Sequence, residues 1–227
     1  MTLLEIINTV QRKLRETETA ASNTTSYSKL IGQFVNEAKR EVEDAWDWSM
    51  LRTSIDVTTA NGTATYTFAG AGNRFRVLYD FETRQWNVWN VTKQWRLNKA
   101  PSHAWINQQA LISPSQVSTP SYFSISGINA GDAKVLFWPI PDAIETIRFF
   151  VVAPQDDFLL DATEDAVQCS VPAWPVILGA YARAVSERGE DSGTLSDTAD
   201  AEYRSALSDA IAYDARNFPE ETTWTGD

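Results

Sequence analysis

"VEDAWDWSML", residues 42–51, places Trp46 and Trp48 one residue apart, where helical spacing gives way to alternation. Neighbours on one helix face are three or four residues apart, so the two rings cannot share a face. Trp46 is expected to continue the helix stripe from Val42. Trp48 is expected to belong to the turn into a first strand. One ring then packs among helices and the other at the junction with a sheet. Paired aromatics that fill a core are favoured here over an aromatic platform for a ligand.

Upstream of this stretch, Tyr27, Ile31, Phe34, Ala38, Val42 and Ala45 make a stripe at helical spacing, capped by Thr25 or Ser26. Glu37, Lys39, Arg40, Glu41 and Glu43 fall mostly on the opposite face. A first helix over about 2–16 carries Leu3, Ile7, Val10 and Leu14. Downstream, "LRTSIDVTTANGTATYTF" alternates and is rich in β-branched residues, with Asn61-Gly62 as a hairpin signal. "PSYFSISG", "KVLFWPIP" and "IETIRFFVV" also read as strands, and "SHAWINQQA" as a short helix. From about residue 170 helices return, with Pro172 and Pro175 near a first turn and Ile177, Tyr181, Ala184 and Val185 as the stripe. Leu195, Tyr203, Ala206, Leu207, Ala210 and Ile211 mark a last helix, which Pro219 stops.

Helix, helix, strands, helix, helix is a segregated order, which indicates an α+β fold. The expected architecture is a helical bundle built from the N- and C-terminal helices, with an inserted antiparallel β-sandwich or barrel. The expected division is 1–48 and 170–218 for the bundle, 49–169 for the β domain, and 219–227 for an extended tail.

The net charge of −11 argues against nucleic-acid binding and against an anionic membrane surface. No apolar run is long enough for a transmembrane helix. The N-terminus lacks the features of a signal peptide, and the single cysteine excludes an intrachain disulfide. Folding in a reducing cytoplasm is expected.

Chemistry-bearing residues are sparse. His103 is the only histidine, and Ser102 beside it in sequence does not make a triad. Cys169 has no basic neighbour to activate its thiol. "AGAGNRF", residues 69–75, reads as a β-turn rather than a phosphate loop. "QDDFLLDATED", residues 155–165, reads as a solvated acidic loop. No catalytic, cofactor-binding or metal-binding residue is expected, and the chain reads as a non-enzyme.

"FVNEAKREVEDAWDWSMLR" resembles the second helix of head-to-tail adaptors of tailed bacteriophages, the group that includes the tail tubular protein A type. "TPSYFSISG", "KVLFWPIPD", "IRFFVVAP" and "FLLDATEDAVQCSVPAWPVILGAYARAVSE" follow that family's succession of strands and its Pro-Trp start of the third helix. Residues 70–115 carry no family signature. The resemblance implies a virion protein assembled in the host cytoplasm, which forms a ring, usually of twelve copies, at the head–tail junction. Its implied partners are further copies of itself, the portal and the next tail or nozzle protein. DNA passes through the channel without specific binding.

Two other readings remain. Trp86, Trp89, Trp95 and Trp105 could form a carbohydrate- or receptor-binding surface, which requires exposed coplanar rings. The acidic cluster could serve a hydrolase, which requires two carboxyl groups facing each other. In the tail, Phe218 and Trp224 are large apolar groups in an otherwise polar stretch and are the candidate interface residues, with Trp224 as an anchor in a portal or neighbouring-subunit pocket.

Overall fold

In the computed structural model, which describes residues 1–70, 72–81, 83–112, 116–129, 132–189 and 194–217, the elements run as follows. Helices α1 (Leu3–Lys13) and α2 (Ser26–Ala45) precede a 3-10 turn at Ser49–Leu51. Strands β1 (Arg52–Thr58), β2 (Thr65–Phe68), β3 (Arg76–Val77), β4 (Tyr79–Asp80), β5 (Gln85–Trp86), β6 (Val88–Asn90), β7 (Trp95–Arg96) and β8 (Asn98–Lys99) follow. Then come α3 (His103–Ile112), β9 (Tyr122–Asn129), β10 (Asp132–Trp138), β11 (Thr146–Val152), α4 (Ala173–Arg188) and α5 (Thr194–Asn217). The fold class is α+β.

The chain divides into two compact units. Met1–Leu51 and the described residues from Pro154 onward form the helical unit, and Arg52–Ala153 form the β unit. In the helical unit, α1 packs on α2 and α4, α2 on α4, and α4 on α5. Leu3, Ile6, Ile7, Val10, Ile31, Val35, Ala38, Val42, Val176 and Ile177 are buried there. Helix α1 starts at a capping box: Thr2 accepts from Glu5 N, and the Glu5 side chain accepts from Thr2 N. Thr25 and Ser28 do the same for α2. Helix α1 is shorter than the spacing predicts, because Leu14 caps it and Arg15 turns to φ 59°.

In the β unit, one sheet has the order β1-β11-β6-β7, with β3 also paired to β11, and a second has the order β2-β10-β9-β8. Strands of both sheets bury side chains in one cluster that includes Val57, Phe68, Val88, Phe123, Val135 and Phe149. Phe149 meets Phe68 edge-on at 4.8 Å and Phe123 at 5.4 Å between centroids. The β8–β9 pair is parallel, unlike the antiparallel pairing expected. Helix α3 packs on β9 and β10 through Ile106, which shares a small cluster with Ala100 and Trp138.

Three sequence expectations need correction. The Asn61-Gly62 turn is present, with Gly62 at φ 77°, but it does not close a hairpin. Strand β1 pairs with β11 along its whole length and β2 pairs with β10, so the turn passes the chain from one sheet to the other. Its geometry is held by the Tyr66 hydroxyl, which accepts from Ala60 N at 2.8 Å and donates to the Thr63 carbonyl at 2.7 Å.

Trp46 does not continue the helix. It is the C-cap residue of α2, in extended conformation, and only half-buried. Trp48 is fully buried, and its indole donates to the Val42 carbonyl at 2.7 Å. The ring beyond the helix end is thus the one that folds back into the helical core. Lys39 and Glu43, assigned by spacing to the polar face, are both fully buried. The reason lies more than a hundred residues away, in the segment that follows the β unit.

Candidate assembly interface

Residues 155–165 are only partly the solvated loop expected: Asp156, Leu159, Ala162 and Thr163 are exposed, but the first part of the segment lies along α2 as a strap whose backbone is hydrogen-bonded to it. Asn36 donates through Nδ2 to the Phe158 carbonyl and accepts from Phe158 N through Oδ1, both at 2.9 Å. One turn on, Lys39 Nζ donates to the carbonyls of Gln155 at 3.0 Å and Asp156 at 2.5 Å, and stands 4.7 Å over the Phe158 ring. Glu43 accepts from Gln155 N at 3.2 Å and lies 3.6 Å from Lys39 Nζ. An ammonium at zero exposure is tolerated because carbonyls, a ring face and a carboxylate replace its water.

Four of the five carboxylates of the strap are also engaged. Arg40 pairs with Asp157, and Asp165 accepts from Ser22 N at 3.1 Å. Glu164 accepts from Leu159 N at 2.6 Å, and the Asp161 carboxyl is held below the usual carboxylate range by hydrogen bonds from Thr163.

The tryptophan-rich segment does not make a flat platform. Trp86 meets Tyr79 edge-on at 68°, with Lys99 Nζ 4.2 Å from its centroid. Arg96 covers Trp89 at 4.8 Å, and Trp105 is tilted by 59° against Tyr122. Of the four, Trp95 alone is exposed. Cation–π and edge contacts spend these faces inside the fold.

His103 is exposed at the start of α3. The Cys169 thiol is pushed up by burial, away from the thiolate form. Among the described residues no group of three His, Cys, Asp or Glu side chains could hold a metal ion. No helix among them is long and apolar enough to cross a membrane. Phe218 and Trp224 lie outside the described residues.

Sequence reasoning missed a cationic groove in the helical unit. It lies between the end of α1 and the facing parts of α4 and α5, encloses about 380 Å³, and is lined by Lys13, Leu14, Arg15, Tyr181, Arg188 and Leu195. Lys13 Nζ sits 5.2 Å from the Trp174 centroid and 5.3 Å from that of Tyr181. Arg188 stacks on Tyr27 and binds Glu16 at 2.5 Å, whereas neither Lys13 nor Arg15 forms an ion pair among the described residues. Trp174 and Leu195 are exposed beside it. The available signal was the basic run Arg12, Lys13, Arg15 at a helix end in a strongly acidic chain.

The model of the SU10 adaptor protein family matches residues 1–224. The chain belongs to that family. No match was found among curated proteins. The match agrees with the resemblance to phage head-to-tail adaptors and extends it through residues 70–115, where the sequence carried no recognisable signature. The adaptor is thus a bacteriophage structural protein and a virion component, and the strap, the groove and the exposed aromatics belong to a molecule made for assembly.

Proposed function

We propose that this adaptor forms a ring, of twelve copies, between the portal and the tail of the virion, at the head–tail junction. A central channel lets DNA pass without specific binding. The four terminal helices act as a bundle that meets the portal and neighbouring copies. The two sheets act as an inserted sandwich that meets the downstream tail or nozzle protein. The tail, residues 219–227, supplies part of the interface through Trp224, together with Phe218 just before it. The observation that carries this reading is the family match over residues 1–224. The exposure of Trp174, Leu195 and Tyr213 on α4 and α5 supports it, since large apolar groups there would be covered by a neighbour.

The acidic balance fits the same role. Twelve copies at −11 repel phosphate where carboxylates approach the DNA, within a screening distance of roughly 8 Å. Light scattering and negative-stain imaging of the protein mixed with its portal test the proposal. A closed ring seated on the portal is expected. A protein that stays monomeric with portal present, or a channel lined mainly by Lys and Arg, overturns it.

A further inference from the structure

The cationic groove of the helical unit has a matching ligand within the same sequence. Residues 218–227, "FPEETTWTGD", carry Glu220, Glu221 and Asp227 with two large aromatic rings and no Lys or Arg. The groove offers the complement: Lys13 and Arg15 without ion-pair partners among the described residues, and apolar surface from Leu14, Tyr181 and Leu195. Acidic side chains beside an aromatic anchor suit a site that combines ammonium and guanidinium groups with exposed carbon.

Chain length decides which copy supplies the ligand. Leu195 stands in the first turn of α5, and the tail begins at the other end of that helix, after Asn217. Twenty-two residues at 1.5 Å per residue separate these points by roughly 33 Å. Trp224, seven residues past Asn217, reaches at most about 25 Å even when fully extended. Glu220 and Glu221 reach less than half the distance. Even with their side chains extended, Glu220 and Glu221 fall short of the groove of their own chain, so a tail that sets them against Lys13 and Arg15 comes from another copy.

We propose that residues 218–227 of one copy dock in the groove formed by α1, α4 and α5 of a second copy, with Trp224 against Leu195 and Tyr181 and the glutamates facing Lys13 and Arg15. The contact is heterologous: each copy gives a tail and receives one, which is the arrangement that closes a ring. This inference rests on the proposed ring and names its partner contact.

The test uses two full-length variants in a Cys169→Ala background, one with Thr225→Cys and the other with Thr194→Cys, which keep Trp224 and Leu195, one of them isotopically labelled. They are mixed and assembled with portal. Mild oxidation should join position 225 of one copy to position 194 of the other, identified by mass spectrometry. Lys13→Glu with Arg15→Glu in the receiving copy should lower the yield on the order of tenfold, and Glu220→Lys with Glu221→Lys in the donating copy should restore it. A ring that assembles without the 194–225 bond, or an intrachain bond in a chain carrying both cysteines, overturns the docking and leaves the ring standing. Failure to form any ring overturns both.

Discussion

Lys39 and Glu43 lie fully buried on α2, whereas the centre of the β unit is held by Phe68, Phe123, Phe137 and Phe149. The β unit also buries a carboxylate, Glu145, which accepts from Asn90 Nδ2 at 2.6 Å and from Thr119 Oγ1 at 3.2 Å. Its cation, Lys93, is 3.8 Å away and half-exposed. The difference follows from how each unit fixes its register. Strands align through ladder hydrogen bonds, so an apolar core suffices. Helices have no free backbone groups along their sides, so a strap laid on α2 could slide. Asn36, Lys39 and Glu43 provide side-chain partners one turn apart and fix its position. Net charge divides the same way. Residues 52–153 contain nine Lys and Arg against six Asp and Glu, so the negative excess belongs to the rest of the chain.

The contrast is most exposed to failure at Lys39. Lys39→Met should destabilise the helical unit by about 3–5 kcal/mol, since Glu43 loses its cation and two carbonyls lose their donor. The double change Lys39→Met with Glu43→Leu should recover most of that. Denaturant titration followed by helical circular dichroism measures both. If the single variant unfolded at the wild-type midpoint, the strap would not depend on the buried pair.

Glu145→Gln provides the counterpart in the β unit. It keeps the shape and weakens charge-assisted hydrogen bonds, so a loss of about 1.5–3 kcal/mol is expected. A loss larger than that of Lys39→Met would reverse the comparison.

Gly179 tests whether close helix approach adds to the strap. A Cβ there would stand 3.1 Å from Ala38 Cβ and 3.2 Å from the Tyr203 ring. Gly179→Val should cost about 1–3 kcal/mol through overpacking of α4 against α2 and α5. An unchanged midpoint would mean that the helices separate freely.

The smallest effect is in acid. Hydrogen bonds from Thr83, then the bond to Arg96, lower the Asp80 carboxyl to about 2, below the ordinary carboxylate range. A depressed carboxylate stabilises the fold above its unfolded value and loses that contribution as pH falls from about 4 to about 2. Because Asp80 is solvated, the effect should be local and weakened by salt. Its carboxyl resonance in an NMR titration should move only at the acid end of that window. A midpoint near 4 would remove the claim.

Much of this fold could be read from spacing. The stripes Leu3-Ile7-Val10 and Ile31-Ala38-Val42 are buried as their period implies, and "KVLFWPIP" and "IETIRFFVV" form β10 and β11. Spacing failed where burial comes from a distant segment. Lys39 and Glu43 look solvated in the sequence because the strap that covers them lies more than a hundred residues later. The Asn-Gly signal specified a turn correctly, but a turn does not choose which strands pair beyond it. Strands β3 to β8 are two or three residues long, too short for alternation to show. For the interface, Phe218 and Trp224 stood out by size alone. The groove was not legible, because Lys13, Arg188 and Leu195 meet only when three helices pack.

The pairing of β1 with β11 begins at Arg52 opposite Val152, the first and last strand residues of the β unit. The chain therefore leaves the unit beside the place where it came in. For the helices, about a hundred intervening residues act as a connection of only a few. Loop closure costs about 0.6 kcal/mol per doubling of length, and roughly five doublings are removed. About 3 kcal/mol of chain entropy thus no longer opposes bringing the strap onto α2. The same neck makes the β unit an exchangeable cassette: an insert of any size whose ends return to one strand pair would leave the helices equally free to close.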